Sequence, residues 1–207
     1  MNLDLVLPAP LNPPFPERAR VADLGRVHFV GVGGAGMSAI ALLMAQLGVP
    51  VSGSDRAESA NLQSLRQAGV RVSVPQDAVN IHDVDTVVIS TAIHGDNPEL
   101  VKARELGLPV LHRSEALAAV MGDSQVVAVA GTHGKSTTSS MISVMFDGLN
   151  AKPSFAVGTV IAGFGANARL GATGPGSWFV AEADESDGSF VRYRPKVAVV
   201  TNIEPDH

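Results

Sequence analysis

Short apolar runs alternate with alanine- and leucine-rich segments along most of the chain. Runs of β-branched residues predict strands, and segments rich in Ala, Leu and Met predict helices. In the first part of the chain this pattern predicts strands at 26–32, 50–54, 70–74, 86–90 and 109–111 and helices at 38–47 and 61–68. Two more helices are predicted, one opening at Asn97-Pro98 and one capped by Ser114 that runs to about Met121.

A second group of elements follows a break at residues 122–124. It contains predicted strands at 125–130, 177–181 and 196–201 and one long helix that ends near Gly148. Alternation of strands and helices predicts parallel sheets covered by helices. We therefore expect an α/β protein with a leader at 1–24, a Rossmann-like parallel-sheet domain at 25–122 and the start of a P-loop ATPase α/β domain at 123–207. Because the chain stops directly after a predicted strand, we expect this second domain to be truncated.

The composition of the chain argues against several classes of function. The 207 residues are 45% hydrophobic and 17% charged, which is enough apolar material for a packed core. The net charge of −5 and the lack of a long basic run argue against a nucleic-acid partner. Cysteine is absent, so disulfides and thiolate chemistry are excluded and a cytoplasmic location is expected. Residues 27–54 carry no Asp, Glu, Lys or Arg, but glycines and Pro50 interrupt them, so we expect no membrane span.

The first glycine-rich segment, residues 31–36, has the form G-x-G-x-x-G between a predicted strand and a predicted helix. Missing side chains at Gly33, Gly34 and Gly36 let backbone amides and the helix N-terminus approach a pyrophosphate. Asp55 follows the second predicted strand, where this fingerprint places an acid that binds a ribose, about 20 residues further on. The segment predicts a diphosphate-containing nucleotide. Glycines that serve only tight strand–helix packing are the structural alternative.

A second glycine-rich segment follows the buried strand at 125–130 and opens the long helix. Loops of this kind cradle triphosphate oxygens, with the lysine on the β- and γ-phosphates and the hydroxyl on Mg²⁺. Val129 stands where the strict motif has its first glycine, so the loop is a variant. The predicted ATP-binding residues are Gly131, Thr132, His133, Gly134, Lys135, Ser136 and Thr137.

Two polar clusters follow later strands. Residues 182–187 supply four carboxylates, which predict either a magnesium site on a triphosphate or a solvated acidic loop. Residues 202–207 form a second cluster that ends at His207. Ligands of α/β proteins bind at such strand ends.

Five segments, taken in order, resemble the Mur ligase family. They are GVGGAGMSAIA (31–41), STAIHGDNPEL (90–100), GTHGKSTT (131–138), EADESDGSF (182–190) and TNIEPDH (201–207). The form of the first segment, together with His133 in the third, looks like the L-alanine-adding members. The resemblance implies a Rossmann-like domain that binds UDP-N-acetylmuramate, an ATP-binding central domain, and ATP-dependent amide formation in peptidoglycan biosynthesis.

The family mechanism implies roles for individual residues. The substrate carboxylate attacks the γ-phosphate, and the amine of L-alanine opens the resulting acyl phosphate. The resemblance implies Lys135, Glu182 and His207 as catalytic groups, with Ser136, Glu182 and His207 holding Mg²⁺. The UDP-sugar would contact Gly33, Gly34, Gly36, Asp55, Asn97, Asn167 and Arg169.

Other functions remain open at this point. A nucleotide-binding module without catalysis explains the length of the chain. An NAD-dependent oxidoreductase explains the first glycine segment but leaves the second one unused. Within the family, a tripeptide-recycling ligase is a near neighbour, and the sequence does not predict the oligomeric state.

Overall fold

The structure is a computed structural model that describes residues 19–183 and 192–204. The first half of the described chain forms a five-stranded sheet in the order β3-β2-β1-β4-β5, with every pair parallel. This is the strand order of the Rossmann fold up to its fifth strand. The elements are β1 (Val27–Val30), α1 (Ala35–Gln46), β2 (Val51–Ser54), α2 (Ala60–Gln67), β3 (Arg71–Ser73), β4 (Thr86–Ile89), α3 (Pro98–Glu105), β5 (Val110–His112) and α4 (Arg113–Met121).

The second half forms another five-stranded sheet, in the order β10-β6-β9-β7-β8. Its strands are parallel except for β8, which pairs antiparallel with β7. The elements are β6 (Gln125–Ala130), α5 (Lys135–Gly148), β7 (Ser154–Ile161), β8 (Ala166–Arg169), β9 (Trp178–Glu182) and β10 (Val197–Val200). The predicted α/β fold is therefore confirmed, with a parallel first sheet and a second sheet that is parallel except for β8.

The apolar pattern explains how the two sheets pack together. All four residues of β1 are buried, as expected for a central parallel strand covered on both faces. Helix α1 buries Met37, Leu43 and Met44, and one core cluster continues from α1 and α4 to β6, β8 and β9. The two sheets therefore share apolar packing through the helices of the first one.

Several sequence predictions need correction. Helix α4 is capped by His112 and not by Ser114, which lies inside the helix. The Glu115 carboxylate accepts from the His112 amide, and this reciprocal capping box starts the helix earlier than the serine signal suggests. Helix α1 begins at Ala35 instead of Ser38. The β7–β8 hairpin was not predicted, because Gly158 interrupts its apolar run.

The two glycine loops each lie at the carboxyl ends of the parallel strands of their sheet. The first glycine loop leaves the carboxyl end of β1, where the strand order reverses between β1 and β4. The second loop leaves the carboxyl end of β6, between β9 and β10. Such switch points are the usual ligand sites of α/β sheets. Within the described ranges, none of the helices is long and apolar enough to cross a membrane.

Candidate nucleotide-binding sites

The second glycine loop is a tight connection between β6 and α5. Gly131 has a φ of +131°, and a Cβ on it would collide with the Thr201 hydroxyl. Gly134, at φ +83°, is the N-cap residue of α5. Both positions therefore require glycine. The amides of the first turn of α5 are left to face this loop, because a helix has no internal acceptors for them.

Lys135, the first residue of α5, lies against this loop. Its Nζ donates to the Gly131 carbonyl at 2.5 Å and lies 3.5 Å from the Thr132 carbonyl. The ammonium group is thus held at the N-terminus of α5, where the helix dipole already favours an anion. A phosphate at this turn would meet positive charge and backbone donors together.

Ser136 and Glu182 meet at one point of the second sheet. Glu182 is the last residue of β9, which pairs directly with β6, so its carboxylate emerges beside the loop. A Cβ built on Gly158 would lie 3.2 Å from Ser136 Oγ and 3.1 Å from Glu182 Oε2. The hydroxyl and the carboxylate therefore flank the same small space above Gly158.

This pair of oxygen groups suits a hard divalent cation. Mg²⁺ is usually held by one or two protein oxygens, with waters and substrate phosphates completing its octahedron. Among residues 19–183 and 192–204, no group of three or more His, Asp or Glu side chains is placed to hold a metal. Ser136 and Glu182 would supply two oxygen ligands to a metal that arrives with a phosphate.

The segment after β10 fastens the second loop. Asn202 accepts from the His133 amide through Oδ1 and donates to the His133 carbonyl through Nδ2, both at 3.0 Å. The Thr201 hydroxyl also donates to the His133 carbonyl, at 2.5 Å. The His133 backbone is therefore held from both sides, whereas the residue itself is exposed.

In the first glycine loop, the predicted acid contacts a predicted glycine. Asp55 Oδ2 accepts from the Gly33 amide at 2.7 Å, and Asn61 donates to the Gly33 carbonyl at 2.7 Å. Gly34 and Gly36 are exposed at the start of α1. The loop thus presents an exposed helix N-terminus. One amide of the loop, that of Gly33, already donates a hydrogen bond to Asp55.

Arg113 was missed as a candidate by sequence reasoning. Its Nη1 would lie 3.3 Å from a Cβ on Gly36, so the guanidinium reaches the N-terminus of α1. It is the first residue of α4, directly after β5. Its position at the carboxyl end of a strand in the first sheet was the available sequence signal.

A buried carboxylate lies beneath the first loop and was also missed. Glu99 is fully buried and accepts from Ser54 Oγ at 2.5 Å and Asn80 Nδ2 at 2.7 Å. The buried His28 ring has Nε2 at 3.5 Å from Glu99 Oε2. Burial alone would raise the pKa of Glu99, but the interactions with His28, Ser54 and Asn80 lower it below the usual glutamate value. The carboxylate therefore acts as an internal acceptor that joins β2 to α3.

Three other predicted sugar-site residues have structural partners. Asn97 caps α3 by accepting from the Glu99 and Leu100 amides. Asn167 Nδ2 points to the Ala35 carbonyl at the start of α1, 3.4 Å away. Arg169 pairs with Asp147 on α5 at 2.6 Å and stacks over Phe164. Of these three, Asn167 is the one whose side chain bonds to the first glycine loop's helix.

Some predicted positions lie outside the described residues. They are His207, most of the leader and the carboxylates of 184–187. A cleft of about 1180 Å³ lies at the opposite edge of the sheets, lined by residues such as Pro50, Asp85 and Gly122. None of the predicted site residues that the structure describes lines this cleft.

The order of the elements defines the class of the protein: a Rossmann-like α/β unit followed by an α/β unit with a phosphate loop. The model described as Mur ligase family, catalytic domain, matches residues 26–125, and the Mur ligase middle domain model matches residues 129–207. The chain belongs to the Mur ligase family.

Curated relatives and solved structures agree with this assignment. UDP-N-acetylmuramate–L-alanine ligase of Paenarthrobacter aurescens is 57% identical over 189 residues, which are 91% of this chain and 41% of that protein. The ligase of the same name from Renibacterium salmoninarum is 60% identical and covers 89% and 39% of the two chains. The chain thus spans about 40% of the length of these relatives.

Two solved ligases share the fold at moderate identity. UDP-N-acetylmuramate-alanine ligase of Thermotoga maritima has a TM-score of 0.80 and 34% identity, covering 88% of this chain and 42% of that one. UDP-N-acetylmuramate:L-alanyl-gamma-D-glutamyl-meso-diaminopimelate ligase of Neisseria meningitides has a TM-score of 0.82 and 32% identity, covering 89% and 62%. The Rossmann-like first unit is therefore one that Mur ligases share.

Proposed function

We propose that the chain binds UDP-N-acetylmuramate on its first sheet unit and magnesium ATP on its second. The reaction served is the ATP-dependent joining of L-alanine to UDP-N-acetylmuramate in peptidoglycan biosynthesis, in the cytoplasm. The observation that carries this proposal is the convergence of Lys135, Ser136 and Glu182 at the carboxyl ends of adjacent strands. The names of the closely similar curated relatives support the choice of substrates.

On the second unit, the loop from Gly131 to Thr137 would surround the phosphates of ATP. Lys135 would neutralise charge on the transferring phosphoryl group, which is the main protein contribution in phosphoryl transfer. Ser136 and Glu182 would hold Mg²⁺, and His207 is proposed as a further ligand. The metal supplies charge neutralisation between the phosphates.

On the first unit, Gly33, Gly34 and Gly36 would approach the diphosphate, with Asp55 fixing the loop. Asn167 would lie beside the sugar, because it reaches the start of α1. Asn97 and Arg169 would shape the site through α3 and α5, because their side chains already have protein partners. The division into units at 25–122 and 123–207 is part of the proposal and is supported by the two sheets.

The proposed reaction balances as two displacements. The carboxylate oxygen of UDP-N-acetylmuramate bonds to the γ-phosphorus and ADP leaves. The amine of L-alanine then bonds to the acyl carbon, phosphate leaves, and the amine loses a proton. Because the chain spans about 40% of its relatives, we propose that alanine-dependent turnover needs parts of them that it does not match.

Calorimetric titration tests the binding proposal. The chain is expected to bind UDP-N-acetylmuramate and, independently, ATP with Mg²⁺. NADH serves as the control ligand for the oxidoreductase alternative. Micromolar NADH binding without a response to the UDP-sugar would overturn the proposal.

A binding module without catalysis is the second candidate function, since the two glycine loops at helix N-termini account for nucleotide binding by themselves. Phosphate release in the presence of UDP-N-acetylmuramate separates the two, measured with and without L-alanine. We expect no alanine stimulation from the 207-residue chain and clear stimulation from a form extended to the relatives' length. An extended form that binds both nucleotides but ignores alanine would favour the binding module.

A further inference from the structure

Gly158 lies where the backbone ladder between β7 and β9 has ended. The last paired residues are Ala156 and Ala181, and the β7–β8 pairing is irregular between Ala156 and Ile161. The Gly158 amide donates to Glu182 Oε1 at 2.6 Å. A side-chain carboxylate thus accepts from this amide two residues beyond the last β7 residue that pairs with β9.

This bond fixes the direction of the Glu182 carboxylate. With Oε1 engaged by Gly158, Oε2 lies on the side of the space that Ser136 Oγ also borders. Hydrogen bonds from the protein commonly orient metal-binding carboxylates in this way. The hydrogen bond therefore holds the Glu182 carboxylate so that Oε2 and the Ser136 hydroxyl border one space.

The missing side chain of Gly158 keeps that space open. A Cβ would lie 3.1 Å from Glu182 Oε2, 3.4 Å from Oε1 and 3.2 Å from Ser136 Oγ, closer than most real Cβ contacts. Gly158 is not among the residues with positive φ, so its backbone does not itself demand glycine. The requirement is for space between two oxygen groups, not for an unusual backbone conformation.

We infer that Gly158 is a positioning residue of the magnesium site: its amide aims Glu182, and its lack of a side chain provides the volume that the metal occupies. This inference rests on the proposed function, because it assigns Mg²⁺ to the space between Ser136 and Glu182. It adds a backbone group on β7 to a site otherwise built from α5 and β9.

The test compares Gly158→Ala with Gly148→Ala. Gly148 ends α5, far from the loop, and a Cβ there would meet nothing within 4 Å. ATP affinity is measured by calorimetry with Mg²⁺ and again with a chelator. Gly158→Ala is expected to weaken binding of magnesium ATP by roughly tenfold or more and to leave metal-free ATP binding unchanged. Gly148→Ala is expected to match the parent in both conditions.

Two results would overturn the inference while the proposed function stands. One is parent-like magnesium ATP binding by Gly158→Ala. The other is an equal loss with and without metal, which would place the effect on the phosphate loop.

A second measurement needs no nucleotide. In nitrogen–proton correlation spectra, the Gly158 amide proton is expected far downfield because its acceptor is charged. It should move upfield in Glu182→Gln, and in Gly148→Ala it should stay in place. If the parent bound no magnesium ATP, the proposed function would fail, and a Gly158 signal indifferent to Glu182→Gln would separately refute the positioning role.

Discussion

Each glycine loop follows a buried parallel strand and is fastened by a side chain from the end of a neighbouring strand. At the first loop, Asp55 after β2 accepts from the Gly33 amide. At the second, Asn202 after β10 holds the His133 backbone through both ends of its amide. The backbone arrangement of the two loops is the same, but the first is held by the carboxylate of Asp55 and the second by the neutral amide of Asn202.

This difference parallels the charges of the two proposed ligands, a diphosphate at the first loop and a more highly charged triphosphate at the second. A carboxylate near the first loop reduces its positive potential and offers an acceptor for hydroxyl groups. The neutral Asn202 adds no negative charge beside Lys135 and the N-terminus of α5, where the triphosphate is proposed to bind. Two loops that look alike in sequence thus differ through residues that lie far from them along the chain.

The support beneath the loops differs as well. Under the first, the buried Glu99 links Ser54 to Asn80. Behind the second, the buried hydroxyls of Ser139 and Ser143 bond to carbonyls one turn back in α5. The first loop rests on a buried charge and the second on local helix contacts.

The largest expected effect on stability is that of Glu99→Gln. The amide cannot accept all the bonds that the carboxylate accepts, and its NH₂ group would face other donors. We expect the free energy of unfolding to fall by about 2 to 4 kcal/mol, measured by urea denaturation. Glu105→Gln, on the exposed face of the same helix, is the control and should change stability little. A small effect of Glu99→Gln would mean that this network does not support the first loop.

Lys135→Ala should give the largest difference between the two loops in ligand affinity. It removes a charge-assisted contact worth about 1.5 to 3 kcal/mol, which weakens magnesium ATP binding roughly 10- to 150-fold. Affinity for UDP-N-acetylmuramate should stay as in the parent. Lys102→Ala on α3 is the matched control, since that lysine pairs with the exposed Glu105. Calorimetry with both ligands measures the split, and equal losses for the two ligands would contradict it.

The sequence predicted the elements around the loops well, because glycine loops and buried strands are local signals. β6 was predicted at its observed bounds, and Glu182 lies at the end of β9 as its position after an apolar run suggested. Gly158 and Glu99 were not identified, because their roles depend on contacts with residues 24 and 45 positions away. Ser114 misled because its cap signal competes with the His112–Glu115 capping box.

Exchanging the charges of Asn202 and Asp55 tests directly whether the charge beside each loop affects ligand binding. Asn202→Asp places a negative charge beside the second loop and should weaken magnesium ATP binding by about 1 kcal/mol, or roughly fivefold. Asp55→Asn keeps an acceptor for Gly33 and should not weaken binding of the UDP-sugar's diphosphate. Raised salt should shrink the Asn202→Asp effect by screening. If the Asn202→Asp protein bound ATP as tightly as the parent, the charge at position 202 would not affect nucleotide binding.

A pH titration of stability should report the charge beneath the first loop. The pKa of Glu99 is lowered in the folded chain, so its contribution is fully present above the unfolded glutamate pKa of about 4.3. It is lost as pH falls through the lower, folded pKa. Arg26 similarly lowers the pKa of Asp85 to about 2. Unfolding free energy should therefore decline below about pH 4.3, with a shallower decline in Glu99→Gln. An identical slope in that variant would contradict the assignment.

The smallest effect on stability is expected for an ion pair that joins the two units. Arg192, in the segment before β10, pairs with Glu115 of α4 at 2.8 Å. Arg192→Gln should lower the unfolding free energy by less than about 1 kcal/mol, because both side chains are partly exposed and an apolar cluster already joins the sheets. Glu115→Gln should cost somewhat more, since Glu115 also accepts from the His112 amide. A double-mutant cycle measures the pair itself. A coupling energy well above 1 kcal/mol would mean that this pair, and not the shared core, sets the relative position of the two loops.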